Sequence, residues 1–183
     1  MLNATTESLP HRPDLMFAIA MPLIRDATIT DLPGILAITN QAILYTTAIW
    51  SITPFDLAAR TQWWRDRLAA NCPVLVAENA GDITAFGSFG QFRPHDGYLH
   101  TVEHSIYVAP EAQGQGIGKA LLLTLIDRAV AAGKHAMIGG IDATNERSLA
   151  LHRKLGFTET GRLPEVGRKF DRWLDLVLMQ RRL

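Results

Sequence analysis

Val108-Ala-Pro-Glu-Ala-Gln113-Gly114-Gln115-Gly116-Ile117-Gly118-Lys119-Ala120 decides how this chain is read. It joins an alternating segment, Tyr98 to Val108, to a Leu- and Ala-rich segment, Gly116 to Ala132, that Gly133 closes. The first has the period of a strand, the second that of a helix. A strand, a glycine loop and a helix start bring backbone N–H groups and the positive end of a helix dipole to one point, which suits an anion. Two common phosphate loops do not fit. A dinucleotide fingerprint needs glycine where Lys119 stands, and a P-loop needs glycine at Gln113 and a hydroxyl at Ala120.

Outward from the loop, the pattern stays that of one mixed domain. Leu23 to Arg25 reads as a strand. Asp31-Leu-Pro-Gly opens a helix to about Leu44, with Ile35, Ile38, Ala42 and Ile43 at helical spacing. Thr53-Pro54 begins a second helix to about Ala70, carrying Trp63 and Trp64. Pro73 to Glu78 and Ile83 to Phe92 form a hairpin around Asn79-Ala-Gly-Asp. In the strand before the loop, His100, Val102, His104 and Ile106 share one face, and Thr101, Glu103, Ser105 and Tyr107 the other. His135 to Ile141 is a strand, Asn145 to Leu155 a helix, and Phe157 to Arg162 and Lys169 to Met179 the last two strands. The order β-α-α-β-β-β-α-β-α-β-β predicts an α/β domain, α+β in its mixed sheet.

Composition narrows the function. Hydrophobic content of 48% and charged content of 20% suit a folded core. Eighteen basic against eighteen acidic residues argue against a general nucleic-acid binder. The balance divides: residues 1–110 hold 6 basic and 10 acidic residues, residues 111–183 hold 12 and 8. The positive half contains the glycine loop, in keeping with an anionic ligand there. The lone Cys72 forms no intrachain disulfide, which points to a reducing cytoplasm. No stretch is long and apolar enough for a membrane helix. Residues 1–20 read as an extension, with Met21 as an alternative start and residues 21–183 as the domain.

Gln113, Gly116 and Gly118 satisfy Q/R-x-x-G-x-G/A, and Asn145-Glu-Arg-Ser-Leu-Ala-Leu-His-Arg-Lys-Leu-Gly-Phe157 follows at the expected place. Both segments resemble those of the GNAT family of N-acetyltransferases, over about Leu23 to Leu183. Thr101 to Val108, Leu44 to Trp50 and Val166 to Asp175 resemble its phosphinothricin and methionine sulfoximine acetyltransferase branch. The resemblance implies the acyl-CoA N-acyltransferase fold, a strongly twisted central mixed sheet flanked by helices. It implies acetyl-CoA as co-substrate, no metal, a small amino acid or analogue as acceptor, and a homodimer.

Acetyl transfer to an amine needs a proton acceptor, because an amino group is largely protonated at neutral pH. Glu103 matches the family's carboxylate position and is the expected base, acting directly or through water. His152 stands where many members carry Tyr, as an acid or part of a proton relay. Gln113, Gly114, Gln115, Gly116, Ile117 and Gly118 are expected to hold the pyrophosphate through backbone N–H groups, with Lys119 adding charge. Ile106, Tyr107 and Val108 are expected to pair with the pantetheine arm, aided by Asn145 and Ser148. For the acceptor, Tyr45, Trp50 and Phe89 are candidate apolar walls and Arg93 a carboxylate clamp. Asp96, Gly97 and Tyr98 lie where the branch contacts substrate. His95, His100 and His104 lack the spacing of a metal set. Two other readings stay open: a different amine acceptor (polyamine, aminoglycoside or peptide N-terminus), and a CoA-binding module without chemistry.

Overall fold

The computed structural model describes residues 22–183; the expected extension, residues 1–20, and Met21 lie outside the described residues. Seven strands, β1 (Leu23–Asp26), β2 (Val74–Asn79), β3 (Asp82–Gln91), β4 (Thr101–Val108), β5 (Ala136–Asp142), β6 (Thr158–Lys169) and β7 (Arg172–Arg182), form one sheet in the order β1-β2-β3-β4-β5-β7-β6. Four helices flank it: α1 (Leu32–Tyr45), α2 (Leu57–Ala69), α3 (Ile117–Ala131) and α4 (Glu146–Lys154).

Every neighbouring pair is antiparallel except β4 and β5, which are parallel because α3 carries the chain across between them. That pairing is short. It runs only from Thr101↔Ala136 to His104↔Gly139. Past it, β4 continues to Val108 while still paired with β3, and β5 continues to Asp142 while paired with β7. The two central strands part, and a cleft opens between them.

Alternation assigns the faces. On β3, Phe86 turns toward α2, where Trp63 meets it edge-on at 6.2 Å. Gly87 turns toward α3, where a Cβ would meet Leu125 at 3.0 Å. Across on β4, Ser105 and Tyr107 share the α1/α2 face, and His104 and Ile106 the α3/α4 face. Leu121, Leu122, Leu125 and Ile126 of α3 fill the core on that face.

Three of the element boundaries that differ from the sequence reading have a local cause or consequence. Helix α2 starts at Leu57, not Thr53, because the Asp56 side chain accepts from the Ala59 N–H and caps it. Tyr98 ends a 3-10 turn, Asp96–Tyr98, so β4 begins only at Thr101. Strand β6 runs on to Lys169, and the hairpin turns at Phe170 and Asp171, both left-handed at φ 51° and 57°.

The edge strand is tied to α1 by charge. Arg25 of β1 donates to Asp31 at 2.7 and 2.8 Å and to Glu78 of β2 at 2.9 and 2.7 Å. The Arg25 guanidinium, with the Thr28 N–H and hydroxyl, holds the buried Asp31 carboxyl down to about 2 against the opposing effect of burial. A depressed carboxylate stabilises the fold above its ordinary pKa, and that contribution disappears as pH falls through the folded value. Asp31→Asn is expected to cost about 1–2 kcal/mol at neutral pH. The gap in Tm between variant and wild type should close as pH falls from 3.8 toward 2; a gap independent of pH would refute the ion-pair account.

Candidate active site

The glycine loop follows a 3-10 turn, Pro110–Ala112, and ends at Gly116, the N-cap of α3. Gly114 and Gly116 sit at φ +83° and +82°, where a side chain is strained. The first intrahelical bond is Ala120 N–H to Gly116 C=O, so the N–H groups of Ile117, Gly118 and Lys119 have no helical acceptor. A cavity of about 490 Å³ adjoins the loop and reaches Ile106, Tyr107, Val108, Asn145 and Ser148. Lys119, Arg147 and Lys154 line it, and among the described residues no carboxylate does. Free amides, a helix dipole and three cations without an acid fit a polyphosphate on an extended arm. Gln113 is occupied within the loop: its amide donates to Val108 C=O at 3.3 Å and its oxygen accepts from Arg147 at 3.1 Å. Asn145 Oδ1 caps α4 by accepting from the Ser148 N–H at 3.1 Å, while the residue still lines the cleft.

Where β4 and β5 part, β5 carries two consecutive glycines, and each makes room for a titratable group on its own face. A Cβ on Gly140 would lie 3.3 Å from Glu103 Oε1. A Cβ on Gly139 would lie 2.9 Å from His104 Nε2 and 3.2 Å from His152 Nε2. Glu103 therefore rests over β5 on one face, and a histidine pair fills the other.

The histidine pair has a defined proton pattern. His152 Nδ1 lies 2.7 Å from the Ser148 carbonyl, which can only accept, so that nitrogen carries the hydrogen. Burial lowers both imidazoles, which are therefore neutral at physiological pH. His152 Nε2 is then an acceptor, and His104 Nε2, 3.1 Å away, must donate to it. That leaves His104 Nδ1 bare, and it is buried without a partner. Phe157 closes the cluster edge-on to both rings, at 5.5 and 5.0 Å. Among the described residues no group of three or more His, Cys, Asp or Glu is arranged to hold a metal.

Glu103 keeps access to solvent, yet the surrounding walls desolvate it and raise its carboxyl above the ordinary value; Arg93, then Arg67, oppose that rise. Arg67 reaches the carboxylate's neighbourhood because Gly90, paired with Glu103, has no side chain where the Arg67 guanidinium lies. Arg67 and Arg93, with Trp63, line a cavity of about 620 Å³. Arg93 also rests over Phe92 at 4.6 Å.

The expected acceptor residues are dispersed. Trp50 is half-buried, donates Nε1–H to Thr47 C=O at 3.0 Å and lies against Gly167. Its loop is pinned by the buried Lys169, whose ammonium donates to Thr46 and Ile49 carbonyls. Tyr45 ends α1 with 73% of its surface exposed. Phe89 does not form a pocket wall: it is 1% exposed, and it pairs with His104 on the α3/α4 face, opposite Glu103. Asp96 and Gly97 lie exposed in the turn, and Tyr98 packs edge-on to Phe92 at 5.8 Å. Sequence reasoning missed Arg67, Gly90, Gly139 and Gly140. Of these, the paired glycines inside a strand were the readable signal, since glycine weakens a strand unless something must come close.

Residues 35–157 match the model of the Acetyltransferase (GNAT) family. The chain is 51% identical over 158 residues to a Pseudomonas aeruginosa L-methionine sulfoximine/L-methionine sulfone acetyltransferase, covering 86% of this chain and 92% of that one. It is 49% identical over 160 residues to an Escherichia coli L-amino acid N-acyltransferase, covering 87% and 93%. A solved phosphinothricin acetyltransferase from Sinorhizobium meliloti, in complex with acetyl-CoA, superposes with a TM-score of 0.87 at 37% identity, covering 89% of each chain.

Gly139→Ala tests the glycine requirement without reference to turnover. The added methyl should push the rings apart, and the imidazole nitrogen NMR shifts of His104 and His152 should lose the signature of a shared hydrogen. Unchanged shifts would show that β5 can move aside.

Proposed function

The chain belongs to the GNAT family of acetyltransferases, and on that premise we propose that it acetylates the α-amino group of a small amino acid of the methionine sulfone, methionine sulfoximine or phosphinothricin kind. The observation that carries this is the position of Glu103, over Gly140 at the parting of β4 and β5, with Arg93 and Arg67 in its field. A carboxylate beside two guanidinium groups suits a zwitterion: the Glu103 carboxylate takes a proton from the ammonium group, and an arginine binds the zwitterion's own carboxylate.

Acetyl-CoA supplies the acyl group as a thioester. Ile117, Gly118 and Lys119 bind its phosphates through backbone amides, with the Lys119, Arg147 and Lys154 charges around them. Asn145 and Ser148 line the path of its arm. The edge of β4 beyond His104 faces no strand on the β5 side, so Ser105 to Val108 offer backbone groups both to that arm and to the oxyanion. Glu103 accepts the amine proton, directly or through water. Arg93, assisted by Arg67, clamps the acceptor's carboxylate. His152 has no hydrogen to spare for the departing thiolate in its neutral form, since its one N–H is committed to Ser148. Its geometry favours holding the cleft in shape, with proton delivery requiring both rings to shift together.

Leu163, Val166, Phe170 and Trp173 on the β6–β7 hairpin are exposed apolar groups, which supports a homodimer through the C-terminal strands. The buried, unpaired Cys72 is in keeping with a reducing cytoplasm. Among the described residues no helix is long and apolar enough to cross a membrane.

A panel of free amino acids and amines, assayed for thiol release from acetyl-CoA, tests the reading. Methionine sulfone or phosphinothricin should be turned over; activity confined to polyamines or peptides, or binding without turnover, would refute it. Glu103→Gln should lower kcat by at least about tenfold. Because the base works only when deprotonated, wild-type kcat/KM should fall as pH drops through the raised Glu103 value, and the variant should lose that limb.

A further inference from the structure

Arg60 is the one residue of α2 that the fold buries outright, with 7% of its surface exposed. An amphipathic helix ordinarily turns an aliphatic residue to the sheet, and a fully buried arginine is rare unless paired. The Arg60 guanidinium lies over Trp63 at 4.6 Å and over Phe55 at 5.1 Å. Among the described residues no carboxylate pairs with it, and its Nε–H is buried without an acceptor. Aromatic faces return only about 0.5–2 kcal/mol to a cation, less than a desolvated charge costs. The group lacks an oxygen ligand.

The space beside it is built to receive one. A cavity of about 280 Å³ lies between α1, α2, the loop after α1 and the sheet; Arg60 is the charged residue in its lining, and the hydroxyl-bearing Thr39, Ser51, Ser105 and Tyr107 line it too. Ser105 and Tyr107 share the β4 face of Glu103, the nearer of them two residues along, or roughly 7 Å. Trp63 lines both this cavity and the one holding Arg67 and Arg93. An acceptor whose amine meets Glu103 can therefore run its side chain along that face, past Ser105 and Tyr107, toward Arg60.

Resting on the acceptor class proposed above, we propose that Arg60 anchors the polar group at the distal end of the acceptor's side chain: a sulfone, sulfoximine or phosphinate. Its planar fork presents two parallel N–H groups to two acceptor atoms on one sulfur or phosphorus, two oxygens in a sulfone or phosphinate and an oxygen and an imine nitrogen in a sulfoximine. Ser105 and Tyr107 hydroxyls complete the polar end of the cavity. A plain thioether offers no such acceptor and leaves the cation desolvated and unpaired. Arg60 is thus a substrate-binding residue that selects oxidised over unoxidised side chains.

The test compares kcat/KM for methionine sulfone and methionine in wild type, Arg60→Met and Arg60→Lys. In Arg60→Met the sulfone-to-methionine ratio should fall roughly 10- to 100-fold, the range of a charged hydrogen bond. Arg60→Lys, which keeps charge but not the fork, should fall between. The decarboxylated amine 3-(methylsulfonyl)propylamine should lose activity in Arg60→Met as the sulfone does. An unchanged ratio, with both amino acids impaired alike, would mean that Arg60 holds the α-carboxylate and would overturn the proposal; so would no effect at all. Tm reports folding, and because removing an unpaired buried charge is neutral or stabilising, Arg60→Met should match or exceed wild type. If the wild type acetylates no amino acid, the functional reading falls by itself. Methanesulfonate then decides Arg60 alone: a rise in wild-type Tm that Arg60→Met lacks supports the anchor, and no rise overturns it.

Discussion

Strands β4 and β5 stay together for only four residue pairs, and the candidate active site lies where they separate. A parallel pair in the middle of a sheet is usually covered on both faces and continuous. Here it is covered but interrupted. Past His104 and Gly139, the β4 edge facing β5 has no strand beside it, and an extended ligand is the natural partner for such an edge. Everything placed around the parting acquires a role from it: the glycine loop at its outer end, Glu103 on one face, the histidine pair on the other.

Two glycines keep the parting usable. Gly139 and Gly140 remove the Cβ atoms that would otherwise collide with the histidines and crowd the glutamate. Their absence of side chain lets ionisable groups on opposite faces converge at one place on the strand. The faces differ in dielectric. Glu103 is half-shielded and sits in the field of arginines. His104 and His152 are sealed by Phe157 and kept neutral. Environment separates the two sets of groups: one face keeps a carboxylate in reach of solvent and cations, and the other keeps an uncharged imidazole pair.

The fold was legible in the sequence because its signals are local. Period, turn residues and the glycine loop specify strands and helices within a few residues, and the loop's family resemblance supplies the topology. The boundaries that moved did so through caps and turns: Asp56, not Pro54, starts α2, and two left-handed residues at Phe170 and Asp171 turn the last hairpin. The glycine loop was legible as a strand-to-helix turn for the same reason, being contiguous. The side proposed for the acceptor was not. Glu103 and Arg93 lie on one stretch of chain, but Arg60 and Arg67 come from a helix whose facing is decided by tertiary packing. Phe89 misled because an aromatic on a strand is apolar on either face, and only the bulge in β3 near Ile83 and Ala85 and its pairing with His104 assign it to the core. The contact between His104 and His152 spans 48 residues and follows from no local pattern.

The short seam also divides the sheet mechanically. Strands β1 to β4 form one antiparallel unit and β5 to β7 another, joined edge to edge by four rungs and bridged by α3. Each unit is stiff within itself, since its strands pair along most of their length. The seam is as short as the edge pairing of β1 with β2, but it lies in the middle of the sheet, where shear or splay between the two units would be taken up. The hinge of the sheet and the mouth of the cleft are then one place, and whatever fills the cleft acts as a splint across the hinge.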